Sequence, residues 1–222
     1  MKDTAVPIHT LIAKLKELYP DAHCELNYET PFQLLVATIL SAQSTDERVN
    51  QVTPVLFDRF PTAEAMAAAE RAELETIIHP VGFFRQKARF IQETAVAILT
   101  RHNGQIPADM QALTQFKGVA RKTANVFLGE IHGIAEGITV DTHVKRLAKR
   151  FGLTNATDPK KVEKDLMAII PKENWIEISH LFIFHGRRVC YARRPNCPAC
   201  ALNTICPAEE NIAGESAGML TR

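Results

Sequence analysis

The chain has 222 residues, 46% of them hydrophobic and 23% charged, with a formal net charge of +1. That composition is ordinary for a soluble globular protein of one large or two modest domains with a sizeable core. No apolar stretch is long enough to span a bilayer, and Met1-Lys2-Asp3 opens no export signal, so a membrane-free, cytoplasmic protein in a reducing compartment is expected.

From the N-terminus onward, nearly every periodic segment has helical spacing. Ile8, Leu11, Ile12, Leu15 and Leu18 recur at three- and four-residue steps until Pro20. Thr30, Pro31 and Gln33 read as N-cap, first-turn proline and capping-box partner of an apolar helix reaching Leu40. Ser44 and Glu47 form a second capping box, which predicts a helix running to Phe60-Pro61. Short helices are expected from Thr62 and over 68–78, then longer ones over 86–100, 121–131 and 141–151. Asp158-Pro159 caps a further helix through Ile170, and 173–189 supplies the last. No strand pattern or repeat is found. The fold class is therefore all-α, about ten helices joined by short loops.

Three features carry chemistry. Four of the five cysteines fall within seventeen residues, as Cys190, Cys197, Cys200 and Cys206, spaced C-x6-C-x2-C-x5-C. Four thiolates at loop spacing can close around a zinc ion or an iron–sulfur cluster, and two disulfides are the alternative. Cys24 stands apart as a structural or bystander thiol. The small net charge conceals three basic clusters: Lys117, Arg121 and Lys122; Lys145, Arg146, Lys149 and Arg150; and Arg187, Arg188, Arg193 and Arg194. Acidic residues gather elsewhere, over 64–75 and 209–215, so the basic groups form either a stripe or separate solvated faces. Finally, Gly118-Val119-Ala120 makes a turn between two helical stretches, a hairpin that can aim N–H groups and a positive helix end at a phosphate.

These signals fall in a fixed order. Leu40-Ser41-Ala42-Gln43-Ser44-Thr45-Asp46 precedes Gly118-Val119-Ala120-Arg121-Lys122-Thr123-Ala124-Asn125, then Val140-Asp141-Thr142-His143, then His185-Gly186-Arg187 leading into the cysteine loop. The series, over about 8–207, resembles the endonuclease III family of DNA base-excision glycosylases. The resemblance implies two helical domains flanking a DNA-binding cleft. One, over 24–135, is a six-helix bundle with the helix–hairpin–helix. The other, discontinuous over 1–23 and 136–222, holds one [4Fe–4S] cluster per chain on the four cysteines.

It further implies a bifunctional DNA N-glycosylase and AP lyase of base excision repair. Such an enzyme acts as a monomer on double-stranded DNA containing oxidised pyrimidines or abasic sites, associated with the nucleoid if the source is bacterial. Lys122 would be the nucleophile and Asp141 its acidic partner across the cleft. An amine that attacks the deoxyribose anomeric carbon forms a Schiff base, which activates β-elimination. The amine must be unprotonated, and Arg121 beside it favours that form. A carboxylate accepts the proton and steadies positive charge on the sugar. The adenine glycosylase branch looks similar but lacks this lysine.

Extruding a nucleotide leaves a gap in the stack. Gln43 is the candidate to fill it, and Phe83 is either an apolar wedge or, with Phe84, simply core. Gly118, Ala120, Arg121, His143, Arg187, Arg193 and Arg194 complete the expected DNA contacts. The chain departs from the family's Leu-Pro-Gly-Val-Gly hairpin with Phe116-Lys117-Gly118-Val119-Ala120, and one extra residue separates Lys122 from Asp141. If residue 120 needs a positive φ, alanine there is strained. That departure leaves a rival reading, a DNA-structure-binding paralogue with weak or lost catalysis.

Overall fold

The computed structural model describes residues 6–208. The N-terminal tripeptide and the acidic stretch at 209–215 lie outside them. Among the described residues there is no strand. The α-helices are α1 (Ile8–Leu18), α2 (Pro31–Leu40), α3 (Asp46–Arg59), α4 (Ala63–Ala67), α5 (Arg71–Ile77), α6 (Phe84–His102), α7 (Met110–Leu113), α8 (Arg121–His132), α9 (Thr142–Arg150), α10 (Pro159–Ile169) and α11 (Trp175–Arg188). Short 3-10 turns at Lys172–Asn174, Cys197–Ala199 and Asn203–Ile205 complete the order.

The chain divides into two compact units. One is continuous, Cys24–Glu136, and the other joins the chain up to His23 with the chain from Gly137 onward. In the continuous unit α2 is the central helix. Thr30 caps it, its hydroxyl accepting the Gln33 N–H at 3.2 Å, and Pro31 supplies a ready-set first turn. Every residue from Phe32 to Leu40 is buried, so this helix is apolar all round rather than striped. Helices α3, α6 and α8 pack on it, and α4 and α5 pack on α6. Truncating a fully buried leucine here, such as Leu35, costs about 2–5 kcal/mol.

The discontinuous unit has a core of its own. Leu11, Ile12 and Leu15 of α1 are buried, and α11 packs on both α1 and α9. The N-terminal segment is tied in by the Val6 N–H, which donates to the Phe151 carbonyl at 3.2 Å. The Thr139 N–H donates to Ser179 Oγ at 3.1 Å, fastening the strap before α9 to α11.

Candidate functional site

The hairpin joins α7 to α8 through residues 114–120. Phe116 and Val119 are buried and anchor it, while Thr94 donates its hydroxyl to the Lys117 carbonyl at 3.2 Å. Gly118 has φ +80°, and a Cβ there would lie 2.7 Å from Phe90 Cδ2 and 3.1 Å from Ile39 Cγ2. Glycine is thus required at 118 on two counts, backbone and space. Ala120 is different: φ is −89° and ψ 169°, extended backbone that any residue adopts. The departure from a second glycine carries no strain, which removes that part of the support for the rival reading of impaired turnover.

Ala120 also leaves the start of α8 without a side-chain cap or an acidic residue in its first turn. Instead Arg121 and Lys122 stand at the positive end of the helix, and Lys122 is exposed. Arg121 donates Nη2 to the Glu136 carbonyl at 2.9 Å, so its guanidinium is engaged within the unit.

In the discontinuous unit, Asp141 is the N-cap of α9. Its Oδ1 accepts the Val144 N–H at 2.8 Å. His143 follows in the first turn, with Nδ1 3.1 Å from Arg146 Nη2. Arg146 Nη2 also donates to the carbonyls of Gly186 at 2.9 Å and Cys190 at 3.0 Å. A Cβ at Gly186 would lie 2.8 Å from His143 Nδ1 and 2.9 Å from Arg146 Nη2. Gly186 therefore permits the close approach of α9 and α11.

Arg150 continues this seam. Its Nη1 donates to Cys190 Sγ at 3.1 Å and to the Tyr191 carbonyl at 2.7 Å, and Nη2 to the Ala192 carbonyl at 3.1 Å. Arg146 and Arg150 thus turn inward to brace the cysteine loop, which corrects their expected place in a surface stripe or a solvated face. Arg188 lies over the Phe184 ring, 4.1 Å from its centroid. Arg187 is half-buried, whereas Arg193 and Arg194 are exposed between Cys190 and Cys197.

No disulfide joins Cys190, Cys197, Cys200 and Cys206 among the described residues, and all four line one pocket. Phe151, Val189 and Pro195 supply apolar wall. Burial first, and then the neighbouring thiolates, push the Cys206 thiol up. A bound cation would relieve that repulsion. The sulfurs also have donors: besides Arg150, the Leu202 N–H reaches Cys200 Sγ at 3.4 Å. His185 is buried and its pKa is pulled down to about 4, which keeps the imidazole neutral. Burial pushes the Tyr19 pKa up to about 12, and its hydroxyl is hydrogen-bonded with His185 Nδ1 at 2.9 Å. The other ring nitrogen, Nε2, lies 3.6 Å from Cys200 Sγ. Among the described residues no three His, Cys, Asp or Glu side chains converge closely enough to hold a single ion. Cys24 packs against the core of the continuous unit, far in sequence from this loop.

Two further loops stand together in the continuous unit. Thr45, not Ser44, caps α3, accepting the Arg48 N–H at 3.3 Å. The Ser44 hydroxyl is taken instead by the Gly82 N–H at 3.2 Å and Lys87 Nζ at 2.9 Å. Gln43 and Phe83, on either side of this junction, are both exposed and both left-handed, with φ 56° and 58°. A left-handed backbone costs a side-chain-bearing residue about 1–2 kcal/mol, and such strain gathers at functional positions. Phe83 is 63% exposed, so it is not core, whereas Phe84 packs partly buried against the core.

The chain thus combines a hairpin that ends on a bare positive helix terminus with a four-cysteine loop, among helices alone in the described residues. The sequence model of the HhH-GPD superfamily base excision DNA repair proteins matches residues 36–172. Endonuclease III of Synechocystis is 55% identical over 88% of this chain and 90% of its own length. A solved non-covalent endonuclease III–DNA complex superposes with a TM-score of 0.89 at 42% identity, covering 93% of this chain and 97% of that one. A trapped endonuclease III–DNA covalent intermediate, an estranged-adenine complex, gives 0.87 at 42% identity, with 92% and 96% covered. The chain belongs to the endonuclease III family, DNA glycosylase/AP lyases of base excision repair.

Proposed function

We propose that this protein removes oxidised pyrimidines from double-stranded DNA and cleaves the strand at the resulting abasic site, with Lys122 as nucleophile. The observation that carries the assignment is the exposed amine of Lys122 at the uncapped positive end of α8, directly after the Gly118 turn. The Gly118 turn and the first-turn N–H groups of α8 offer donors to a backbone phosphate. Arg193 and Arg194, exposed on the cysteine loop, add phosphate contacts, and His143 and Arg187 belong to the same unit. Gln43 and Phe83 enter the duplex when the target nucleotide is extruded, Phe83 as the wedge.

The chemistry then proceeds at the sugar. The lone pair of neutral Lys122 Nζ forms a bond to C1′ as the glycosidic bond breaks, and the base departs with that electron pair and takes up a proton. Asp141 accepts the ammonium proton and steadies positive charge on the sugar. The C1′–O4′ bond opens, O4′ is protonated, and a Schiff base joins Lys122 to the open sugar. Loss of a C2′ proton then expels the 3′ phosphate, and water hydrolyses the Schiff base to regenerate the amine.

Cys190, Cys197, Cys200 and Cys206 would hold one [4Fe–4S] cluster. Their common pocket, apolar wall and N–H donors support that reading. When bound, a four-cysteine cluster has no open iron position and supplies a structural cross-link for the loop. Purified protein should be brown, with iron and sulfide in equal amounts; a colourless zinc protein overturns this assignment.

Borohydride trapping tests the nucleophile. The native chain should crosslink covalently to a duplex carrying an oxidised pyrimidine or an abasic site, and Lys122→Ala should not. An undiminished crosslink in Lys122→Ala would overturn the assignment.

A further inference from the structure

The Schiff-base chemistry makes no use of Lys87, yet this residue is only 4% exposed inside the continuous unit. An ammonium taken out of water is costly unless it is hydrogen-bonded. Here the bond goes to Ser44 Oγ at 2.9 Å, and the same oxygen accepts the Gly82 N–H at 3.2 Å. Ser44 directly follows Gln43 and Gly82 directly precedes Phe83, so a single hydroxyl ties together the two loops with exposed left-handed residues. The contact is close elsewhere too: a Cβ at Gly82 would lie 3.6 Å from the Gln43 carbonyl oxygen. Lys87 sits on the first turns of α6, its own N–H bonded to the Phe83 carbonyl at 3.0 Å. Its side chain therefore reaches from the helix that Phe83 heads to the loop that carries Gln43.

We propose that Ser44 and Lys87 are positioning residues that lock the Gln43 and Phe83 loops into one rigid part, so that both side chains enter the duplex together. The proposal rests on the reading of Gln43 and Phe83 as the residues that replace the extruded nucleotide. Neither Ser44 nor Lys87 touches the reacting sugar; they act on the step before chemistry. Misplacement of such a part by about 1 Å can cost up to a hundredfold in rate. The loss should shrink as extrusion becomes cheaper, since mismatched nucleotides flip at lower cost.

The experiment compares full-length Ser44→Ala, Lys87→Met, Gln43→Ala and Phe83→Ala under single turnover. Three duplexes are used: an oxidised pyrimidine in a pair, the same lesion in a mismatch, and an abasic site. Ser44→Ala and Lys87→Met should slow excision of the paired lesion by about tenfold to a hundredfold. The mismatched lesion should suffer less, and the abasic site least. Equal losses on all three duplexes, or no loss on the paired lesion, overturn the proposal. If Lys87→Met does not fold, Ser44→Ala, which removes one oxygen, carries the decision. Slow excision by Phe83→Ala and Gln43→Ala with normal rates for the other two overturns the strut alone. Normal rates for Phe83→Ala and Gln43→Ala overturn the wedge reading, and the strut falls with it.

Discussion

Asp141 caps α9 through Oδ1, so Asp141→Asn keeps an oxygen that caps equally well while removing the carboxylate. Single-turnover excision by Asp141→Asn should fall by about 10²–10⁴-fold at nearly unchanged melting temperature. Asp141→Ala should in addition lose about 1 kcal/mol of stability. Full activity in the asparagine variant would remove Asp141 from the chemistry. Lys87 offers a second residue-scale test. Burial lowers its pKa from 10.5 to about 8, so between those values the unfolded chain holds a proton that the folded one has released. Stability must rise with pH across that window, by up to about 3 kcal/mol relative to Lys87→Met, in which the term vanishes. Denaturant titrations of both proteins at pH 7.5 and about 10 measure the difference. Single residues were unevenly legible. Thr30 with Pro31 could be read directly, because a cap is local chemistry, whereas the Gln33 side chain accepts the Glu29 N–H, one residue before the cap, instead of closing a capping box. Ser44 could not: serine and threonine stand side by side, both able to cap, and the distant Gly82 and Lys87 claim the serine. Phe83 and Phe84 are alike in sequence, and only the left-handed turn at 83 sends one out and the other in.

At the scale of elements, the hairpin and the α9–α11 seam both turn on absent side chains. Gly118→Ala should cost roughly 2–4 kcal/mol, combining positive φ with contact on Phe90, and should weaken DNA binding with it. Ala120→Gly should change stability by no more than about 1 kcal/mol, since residue 120 is extended. Chemical denaturation checks the pair, and equal effects at 118 and 120 would contradict this account of the hairpin. Gly186→Ala should disturb the seam where His143 and Arg146 approach. This seam was the least legible part of the chain. Basic residues at helical spacing look the same whether they face water or a carbonyl, and the acceptors of Arg146 and Arg150 lie about forty residues on. Ten of the eleven α-helices among the described residues were readable from periodicity and caps, whereas α7, four residues long, is too short to display the 3.6-residue period.

For the molecule as a whole, a net charge of +1 means that DNA affinity must come from local placement of basic groups. Binding to an undamaged duplex should weaken steeply with salt, and Arg193→Ala or Arg194→Ala should each reduce the log–log slope by about 1 without changing sequence preference. An unchanged slope would remove the cysteine loop from the interface. The layout of the two units has another consequence, one that concerns synthesis. Cys24–Glu136 is contiguous and can complete its core while the ribosome is still at work, but α1 precedes it and packs on α11. Leu11, Ile12 and Leu15 must therefore wait, uncovered, until residues 175–188 have emerged. During that interval the nascent chain displays a greasy stripe at its leading end, a natural target for a chaperone. Ribosome-bound chains stalled at residue 180, with the continuous unit emerged but α11 still enclosed, should be cleaved by protease within α1 yet resist cleavage within α2; those released at full length should resist at both.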